Sequence, residues 1–358
     1  MSRFSVAKER VLDDLEGIVE QLLRASRKHH RRSLWNVCNP YRPKSKPEQM
    51  CVWLQGARRG AWKDFVSGDQ GDAIDLVAYA LTGAVTADTR MTALEWIEDR
   101  FGLKNMSPAR RETIAKEATA RRAAAEAKET ARRTASRERA RKFFYSCQPI
   151  EGSLAEVYLR SRNIDLAGVP KLGRALRFHP ACEYWMIEER PRMPAMIAAM
   201  VGQDGKIGAC HYTFLAPDGS GKADVPKAKL MFPETSGLVI RLTDGPSGLP
   251  AERAAEASAL GLVGLVEGVE DGLSVAVAEP DLRMWSAGSL PGFGTVPDHG
   301  CVSSWLVFKD NDWGKRQAQQ QFSRAVARLK GFGKPVEVIS MPADWGKDVN
   351  DALRSGWK

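Results

Sequence analysis

Acidic residues follow three apolar segments in the C-terminal part of the chain. Glu267 ends the run Leu-Val-Gly-Leu-Val-Glu, and Asp310 and Asp312 follow the run Ser-Trp-Leu-Val-Phe-Lys. A third apolar run leads into an acidic turn between Asp344 and Asp351. Carboxylate oxygens are hard ligands that suit Mg²⁺ or Mn²⁺, and such ions are often held by one or two carboxylates together with substrate phosphates. The residue types therefore indicate metal-dependent phosphoryl-transfer chemistry.

These carboxylates are far apart in the sequence, so they can act together only if the strands before them lie side by side. Residues 262–267 predict a strand that leads into a helix over about 271–279, and residues 304–310 predict a strand followed by a helix over about 315–329. A third strand is predicted from Pro335 onward. Strands that alternate with helices indicate a small parallel sheet. Because the carboxyl ends of parallel strands lie at one edge of a sheet, Glu267, Asp310 and Asp312 are expected to converge.

Three motifs stand in a fixed order here: Leu-Val-Glu267-Gly-Val-Glu-Asp-Gly-Leu-Ser, Val-Phe-Lys-Asp310-Asn-Asp312-Trp-Gly, and Gly-Lys-Asp348-Val-Asn-Asp351-Ala-Leu. In this order they resemble the Toprim domain, which is shared by bacterial-type primases, topoisomerases and certain nucleases. The resemblance implies that Asp310 and Asp312 bind metal and that Glu267 is a metal ligand or a proton acceptor. It also makes Asp348 and Asp351 candidates for a second ion.

The segment before these motifs resembles one group of Toprim proteins in particular. Four of its motifs resemble the region before the Toprim domain in plasmid and phage primases: Leu176-Arg-Phe-His-Pro-Ala-Cys, Met193-Pro-Ala-Met, Gly208-Ala-Cys-His211-Tyr-Thr and Lys222-Ala-Asp-Val-Pro-Lys-Ala-Lys229. Topoisomerases and Toprim nucleases lack this region. The resemblance implies a primase subdomain over 146–255, which binds template and nucleotide, before a Toprim catalytic domain over 256–358.

Phosphate groups also need cations. Within the primase-like subdomain, the resemblance makes seven basic side chains candidates for binding nucleotide or template. They are Lys222, Lys227, Lys229, Arg174, Arg177, Arg241 and His211. For the lysines an ordinary surface role is the alternative, and for His211 a packed core position. Glycine-lysine fragments at 219–222 and 331–334 lack the spacing of a P-loop, so any helicase would act in trans.

Residues 1–104 predict a small α/β domain. Apolar residues at helical spacing predict one opening helix, and a second helix is predicted between Gly71 and Gly83. The opening helix rests on Val11, Leu15, Ile18 and Leu22. Within residues 146–255, a short helix is predicted over 154–160, and a hairpin is predicted from runs 195–201 and 207–215 around a turn containing Asp204-Gly205.

The segment Trp62-Lys-Asp-Phe-Val-Ser-Gly-Asp-Gln-Gly71-Asp72-Ala-Ile-Asp-Leu-Val resembles the end of the primase zinc-binding domain. That domain supplies Cys and His pairs at short spacing, whereas this chain offers Cys38, Cys51 and the doublet His29-His30. Two separated thiols and two adjacent histidines do not make a tetrahedral ligand set. We therefore expect a zinc-finger-like N-terminal domain over 1–104 that holds no zinc.

Residues 107–142 contain twelve Lys or Arg and five Glu. This excess of positive charge accounts for most of the chain's net charge of +9. Ser107 and Pro108 are typical of a helix start, and the stretch predicts one long basic connector helix over 105–145. It is either a solvated spacer or a helix that also follows a phosphate backbone. The basic balance of the whole chain favours a polyanionic partner.

Composition excludes some classes of protein. The chain has no apolar run long enough for a transmembrane helix and no signal-peptide core, so a cytoplasmic protein without a membrane partner is expected. Six scattered cysteines without a C-x-x-C pair argue against a disulfide framework. The expected architecture is a mixed α/β and α+β multidomain chain.

The resemblance favours a DNA primase from a phage, plasmid or other mobile element. Such an enzyme would make short primers on a single-stranded DNA template from nucleoside triphosphates, with Mg²⁺ or Mn²⁺ as cofactor, and a replicative helicase is a possible partner. Two alternatives stay open. A Toprim nuclease would use the same acids with water as nucleophile, and an inactive Toprim protein would only bind single strands or a replication partner.

Overall fold

The computed structural model describes residues 3–30, 33–104, 106–169, 171–311 and 315–355. The chain divides into two compact units, Met1–Arg133 and Thr134–Lys358. Both units contain helices and sheet, and the second contains parallel strands. The expected mixed α/β and α+β class is therefore confirmed.

The N-terminal unit combines short helices with a small antiparallel sheet. Its elements are α1 (Arg3–Asp13), α2 (Leu15–Leu23), β1 (Leu34–Val37), β2 (Met50–Trp53), β3 (Trp62–Asp64), β4 (Gln70–Gly71), α3 (Ala73–Thr82) and α4 (Ala87–Arg100). Strands β1 to β4 pair in sequence order, each antiparallel to the next. Trp35 and Trp62 are fully buried in a core that strands and helices share, so apolar burial is the main source of stability in this unit.

The prediction of one opening helix is wrong, because the segment forms two helices. Helix α1 ends at Asp13 and α2 begins at Leu15. Asp14 lies between them with non-helical dihedral angles, φ −116° and ψ 36°. Its side chain packs over Gly17, where no Cβ obstructs it. The apolar positions of both helices still face one core, which explains why the periodic pattern hides the break.

The second predicted helix is confirmed as α3. Asp72 caps its start, since the carboxylate accepts hydrogen bonds from the backbone N–H groups of Ile74 (2.9 Å) and Asp75 (3.1 Å). Gly83 ends it in the left-handed region with φ 80°, which favours glycine.

A buried carboxylate joins the loops of the N-terminal sheet. Asp64, at the end of β3, is fully buried. Four hydrogen-bond donors surround it: the side chains of Asn39 (2.7 Å) and Arg42 (3.1 Å) and the backbone N–H groups of Val66 (2.7 Å) and Ser67 (3.1 Å). Burial alone would raise the pKa of Asp64, but the donors outweigh it and lower the pKa below its ordinary value. Asp64 therefore fixes the loops on either side of β2 and β3.

The residues considered for zinc lie in this unit. Cys38 is exposed, whereas Cys51 is buried in β2, where burial raises its pKa. His30 packs edge-on against Trp35. Within the described ranges, no group of three His, Cys, Asp or Glu side chains is arranged to hold a metal ion. A zinc-finger-like domain without zinc stays a prediction.

The predicted long basic helix is α5 (Pro108–Ser146), which has 39 residues. The Ser107 hydroxyl accepts a hydrogen bond from the Arg110 N–H at 3.4 Å and so caps its start. Ile114 is buried in the core of the N-terminal unit, and Phe144 is buried in a core of the C-terminal unit. Among the described residues, no helix is both long and apolar enough to cross a membrane.

Over its described residues, the C-terminal unit has a nine-stranded sheet in the order β13-β12-β10-β11-β9-β6-β7-β8, with β5 also paired to β6. The strands are β5 (Leu176–Glu183), β6 (Arg192–Val201), β7 (Ile207–Phe214), β8 (Lys229–Phe232), β9 (Val239–Arg241), β10 (Gly261–Val266), β11 (Arg283–Ser286), β12 (Val302–Lys309) and β13 (Val336–Ser340). The helices are α6 (Leu154–Ser161), α7 (Ala251–Glu256), α8 (Val269–Ala278), α9 (Leu290–Phe293), α10 (Arg316–Lys330) and α11 (Val349–Arg354).

The sheet has a parallel half and an antiparallel half. Strands β11, β10, β12 and β13 are parallel, which confirms the three predicted strands and adds β11, a strand of four buried residues. Strands β6 and β7 form the predicted hairpin, and α6 matches the predicted short helix. The halves join where β11 pairs antiparallel with β9, with Trp285 opposite Arg241. Both halves therefore belong to one continuous hydrogen-bonded sheet.

Candidate active site

Two of the predicted carboxylates meet at the edge of the parallel half. Strands β10 and β12 are neighbours, with Leu265 opposite Val307. Glu267 and Asp310 follow these two strands directly and line the same small pocket, together with aromatic side chains such as Phe293. Asp312, the other predicted ligand, lies outside the described residues.

Sequence reasoning missed a second acidic pair, Glu270 and Asp271, in the first turn of α8. Both are buried, with 2% and 6% of their surface exposed. Asp271 accepts a hydrogen bond from the backbone N–H of Asn350 at 3.2 Å. Burial, together with the nearby carboxylates of Asp348 and Asp310, raises the pKa of Asp271 to about 8. Asp271 therefore forms an acidic cluster with Asp310 and Asp348. Two acids within an otherwise apolar helix were the signal available in the sequence.

The loop after β13 brings the third acidic motif to this cluster. Asn311 holds this loop in place, because its backbone N–H donates to Lys347 O (2.7 Å) and its Nδ2 donates to Gly346 O (2.9 Å). Asp348 caps α11, since its Oδ1 accepts from the N–H of Asp351 at 2.9 Å. The carboxylate of Asp351 accepts from the N–H of Lys347 at 3.1 Å, so it stabilises its own loop.

Cations lie beside the acidic cluster. The Nζ of Lys229 is 2.9 Å from Glu270 Oε2, and the Nζ of Lys222 is 3.2 Å from Glu270 Oε1. The hydroxyl of Tyr158 donates to Glu270 Oε1 at 2.7 Å. Burial opposes ionisation of Glu270, but Lys229 and Lys222 hold its pKa well below the ordinary value. Lys227 is exposed on the loop before β8, and its backbone N–H donates to the hydroxyl of Tyr184 at 3.3 Å.

His211, in β7, is a buried neighbour of the lysines. Only 2% of its surface is exposed. Burial, with a further contribution from Lys229, lowers its pKa to about 4, so the ring is neutral near pH 7. Its Nδ1 has no hydrogen-bond partner among the described residues.

The three predicted arginines have partners within the C-terminal unit. Arg174 forms an ion pair with Asp244. Arg177 donates to Cys147 O at 3.0 Å and lies 5.5 Å from the ring centre of Phe144. Arg241 forms an ion pair with Glu252 and lies 5.1 Å from the ring centre of Trp285, where burial lowers its pKa to about 10. These contacts stabilise the sheet, and a role for the arginines in nucleic-acid binding stays a prediction.

Comparison with protein families agrees with this geometry. The family model of the Toprim domain matches residues 262–357, which contain the parallel half together with Glu267, Glu270, Asp271, Asp310, Asp348 and Asp351. This part of the chain is a Toprim domain. A second family model, a domain of unknown function (DUF7146), matches residues 134–242, the end of α5 and the antiparallel half. No curated protein matches the chain.

Several solved primase structures are similar to the chain at low identity. A DNA primase domain from Pseudomonas aeruginosa is 16% identical, with a TM-score of 0.38, over 62% of this chain and 74% of that one. The RNA polymerase domain of Mycobacterium tuberculosis primase DnaG is also 16% identical, with a TM-score of 0.39, over 63% and 79%. The primase fragment of the bacteriophage T7 primase-helicase protein is 14% identical, with a TM-score of 0.36, over 55% and 69%.

The acids of the Toprim domain have the chemistry to hold a divalent cation. Over the residues that the structure describes, which omit Asp312, no three of them form a complete metal site. The carboxylates of Asp310 and Asp348 oppose ionisation of the buried Asp271. A hard cation among these oxygens would relieve that repulsion. The crowded oxygens belong to Asp271, Asp310 and Asp348.

Proposed function

We propose that the chain is a DNA primase that makes short primers on single-stranded DNA from nucleoside triphosphates. One observation carries the proposal: the acids of the Toprim domain and the lysines of the antiparallel half lie side by side, because Glu270 contacts the lysines and Asp271 faces the acids. Phosphoryl transfer needs both an acidic metal site and cations for phosphate, and these acids and lysines would provide the two in one sheet.

In this mechanism the 3′ oxygen of one nucleotide bonds to the α-phosphorus of the next, and the bond to pyrophosphate breaks. Glu267 would accept the hydroxyl proton, and Lys222 and Lys229 would bind the triphosphate. Mg²⁺ or Mn²⁺ at Asp271, Asp310 and Asp348 would lower the pKa of the attacking hydroxyl and neutralise the departing charge. Asp312 is proposed as a further ligand, by the resemblance.

The setting is also part of the proposal. The primer would serve replication of a phage, plasmid or mobile element in the cytoplasm, with the single-stranded DNA template as partner. The solved fragment from bacteriophage T7 comes from a primase-helicase protein. For this chain we propose that a separate replicative helicase acts in trans, since the sequence carries no P-loop.

The test is incorporation of labelled ribonucleotide on single-stranded DNA with Mg²⁺ or Mn²⁺. Wild type is compared with Asp310→Ala plus Asp312→Ala, and with Glu98→Gln as a control. Glu98 is a buried, ion-paired carboxylate of the N-terminal unit, and its partner Arg3 is 53% exposed and so stays hydrated after the change. Short products from wild type and the control, but not from the double variant, support primer synthesis.

The same assay separates the alternatives. Metal-dependent loss of the labelled template, absent from the double variant, would assign a Toprim nuclease in place of a primase. No reaction by any form, with or without an added helicase, would leave only the binding function.

A further inference from the structure

Two consecutive buried carboxylates at the start of α8 have opposite surroundings. Glu270 receives the ammonium groups of Lys229 and Lys222 and the hydroxyl of Tyr158. Asp271, the next residue, lies near the carboxylates of Asp348 and Asp310 and accepts its hydrogen bond from a backbone amide. The start of this helix therefore separates the cations of the site from its anions.

Some interaction must keep the two lysines away from Asp271, because an ammonium group and a carboxylate attract each other. Lys229 and Asp271 are close enough for each to influence the charge of the other. The lysine stem is flexible and carries three N–H donors on its ammonium group, so it can move from one carboxylate to a neighbouring one. An ammonium group on Asp271 would occupy the oxygens that a divalent cation needs.

We propose that Glu270 is a positioning residue that holds Lys222 and Lys229 away from the metal-binding carboxylates and so keeps Asp271 open to a divalent cation. The inference rests on the proposed function, since it assigns the metal to the acidic cluster. It deepens that function by adding a residue that contacts neither the metal nor the nucleotide.

Rigidity supports this role. Glu270 is 2% exposed, and Tyr158, which donates to it from α6, is 1% exposed. A buried carboxylate fixed by a neutral donor has little freedom to follow the lysines outward. The side chains of Lys222 and Lys229 are 35% and 37% exposed, so both are partly open to water while their ammonium groups contact Glu270. Glu270 thus holds the lysines where triphosphate can reach them.

The test is Mn²⁺ binding to the full chain without nucleotide, measured from the free Mn²⁺ signal in electron paramagnetic resonance. Glu270→Gln keeps the shape of the side chain and removes its charge. We expect it to weaken Mn²⁺ binding by about tenfold, the usual scale for residues that orient metal ligands. Glu98→Gln, the buried control of the N-terminal unit, should bind Mn²⁺ as wild type does.

A second substitution distinguishes the proposed role from general damage. In Glu270→Gln plus Lys229→Met, no Lys229 ammonium group is left to occupy Asp271, so Mn²⁺ binding should return close to the wild-type value. Primer synthesis should stay low in this double variant, because a phosphate-binding lysine is missing. A destabilised protein would recover neither property.

Three outcomes would overturn the inference: wild-type Mn²⁺ binding by Glu270→Gln, no recovery in the double variant, or a loss in the Glu98→Gln control of the same size. If Glu270→Gln does not fold, Tyr158→Phe replaces it. That variant keeps all the charges and loosens Glu270, and unchanged Mn²⁺ binding by it would overturn the role. Failure of wild type itself to bind Mn²⁺ would instead reject the proposed metal function, and the inference with it.

Discussion

Two buried aspartates, one in each unit, show how a folded chain uses the same side chain in different ways. Asp64 of the N-terminal unit has four hydrogen-bond donors around it, and its pKa lies below the ordinary value although it is buried. Asp271 of the Toprim domain is buried among carboxylates, and its pKa is raised to about 8. The protein environment satisfies the first charge and opposes the second.

The difference teaches which buried acid to assign to structure and which to chemistry. A carboxylate with a full set of donors needs no ligand, so Asp64 is a structural residue that fixes two loops. A buried carboxylate crowded by other carboxylates destabilises the folded protein unless a cation or a proton binds there. Such groups are typical of functional sites. Substitutions at the two positions should therefore have opposite effects on stability and different effects on activity.

The largest expected effect is the loss of primer synthesis in Asp271→Asn. Removing a carboxylate that we propose binds metal should lower the rate on the order of a thousandfold, since a bound metal contributes several kcal/mol to charge stabilisation. Labelled-nucleotide incorporation measures it, with Glu98→Gln as the control. A rate near that of wild type would remove Asp271 from the active site and end the contrast with Asp64.

Next in size is the destabilisation expected from Asp64→Asn. The variant removes the charge that Asn39 and Arg42 bind, so the free energy of unfolding of the N-terminal unit should fall by about 3 kcal/mol. The pKa of Asp64 is lowered in the folded chain, so its contribution is present above the unfolded pKa of about 3.9 and is lost as the pH falls through the folded pKa. Urea unfolding of both proteins at several pH values tests this. A gap between them that persists in strong acid would contradict it.

Asp271→Asn should have the opposite effect on stability. The pKa of Asp271 is about 8 in the folded chain and about 3.9 in the unfolded chain. Wild type therefore loses stability as the pH rises from the lower pKa to the higher one, whereas the variant has no carboxylate at this position and does not. At about pH 9 without metal, the variant should be more stable by about 2 kcal/mol. Thermal unfolding with and without Mn²⁺ checks it, and Mn²⁺ should stabilise wild type alone. A less stable variant would show that Asp271 is satisfied like Asp64.

The smallest expected effect is that of Asn39→Ala. It removes one of the four donors to Asp64 and leaves the charge with the other three. The Asn39 side chain also donates to the Tyr79 hydroxyl (2.7 Å) and accepts from the Tyr41 N–H (2.9 Å), so the variant loses three hydrogen bonds. At about 0.5 kcal/mol for each, the free energy of unfolding should fall by about 1.5 kcal/mol. Urea unfolding measures it, and Mn²⁺ binding should not change. A loss as large as that of Asp64→Asn would show that Asn39 alone holds the carboxylate.

The sequence predicted the parts of this molecule that depend on local pattern. Apolar runs and turn residues located the hairpin, three of the parallel strands and the long helix. Strand ends then placed Glu267 and Asp310 in one pocket. Strand β11 was missed, since its four residues are too few to show a period and include Arg283.

Contacts between distant segments could not be predicted. The pKa of Asp271 depends on Asp348, which follows a later strand, and the partners of Glu270 come from α6 and the segment around β8. Asp64 depends on Asn39, far back in the sequence. The break between α1 and α2 was also hidden, because both helices turn their apolar residues to one core. The roles of Asp312, Asp351 and the arginines stay predictions.

The pairing of β9 with β11 has a consequence during synthesis on the ribosome. Strand β9 ends at Arg241, and the strand that covers its free edge begins only at Arg283. A nascent chain that has emerged as far as the antiparallel half therefore presents an unpaired strand edge until two further helices and two further strands, α7 to β11, have followed. Unpaired edges are where growing chains join the wrong partner. The Toprim half is translated second, and its strand β11 then pairs with the free edge of the antiparallel half that was made before it.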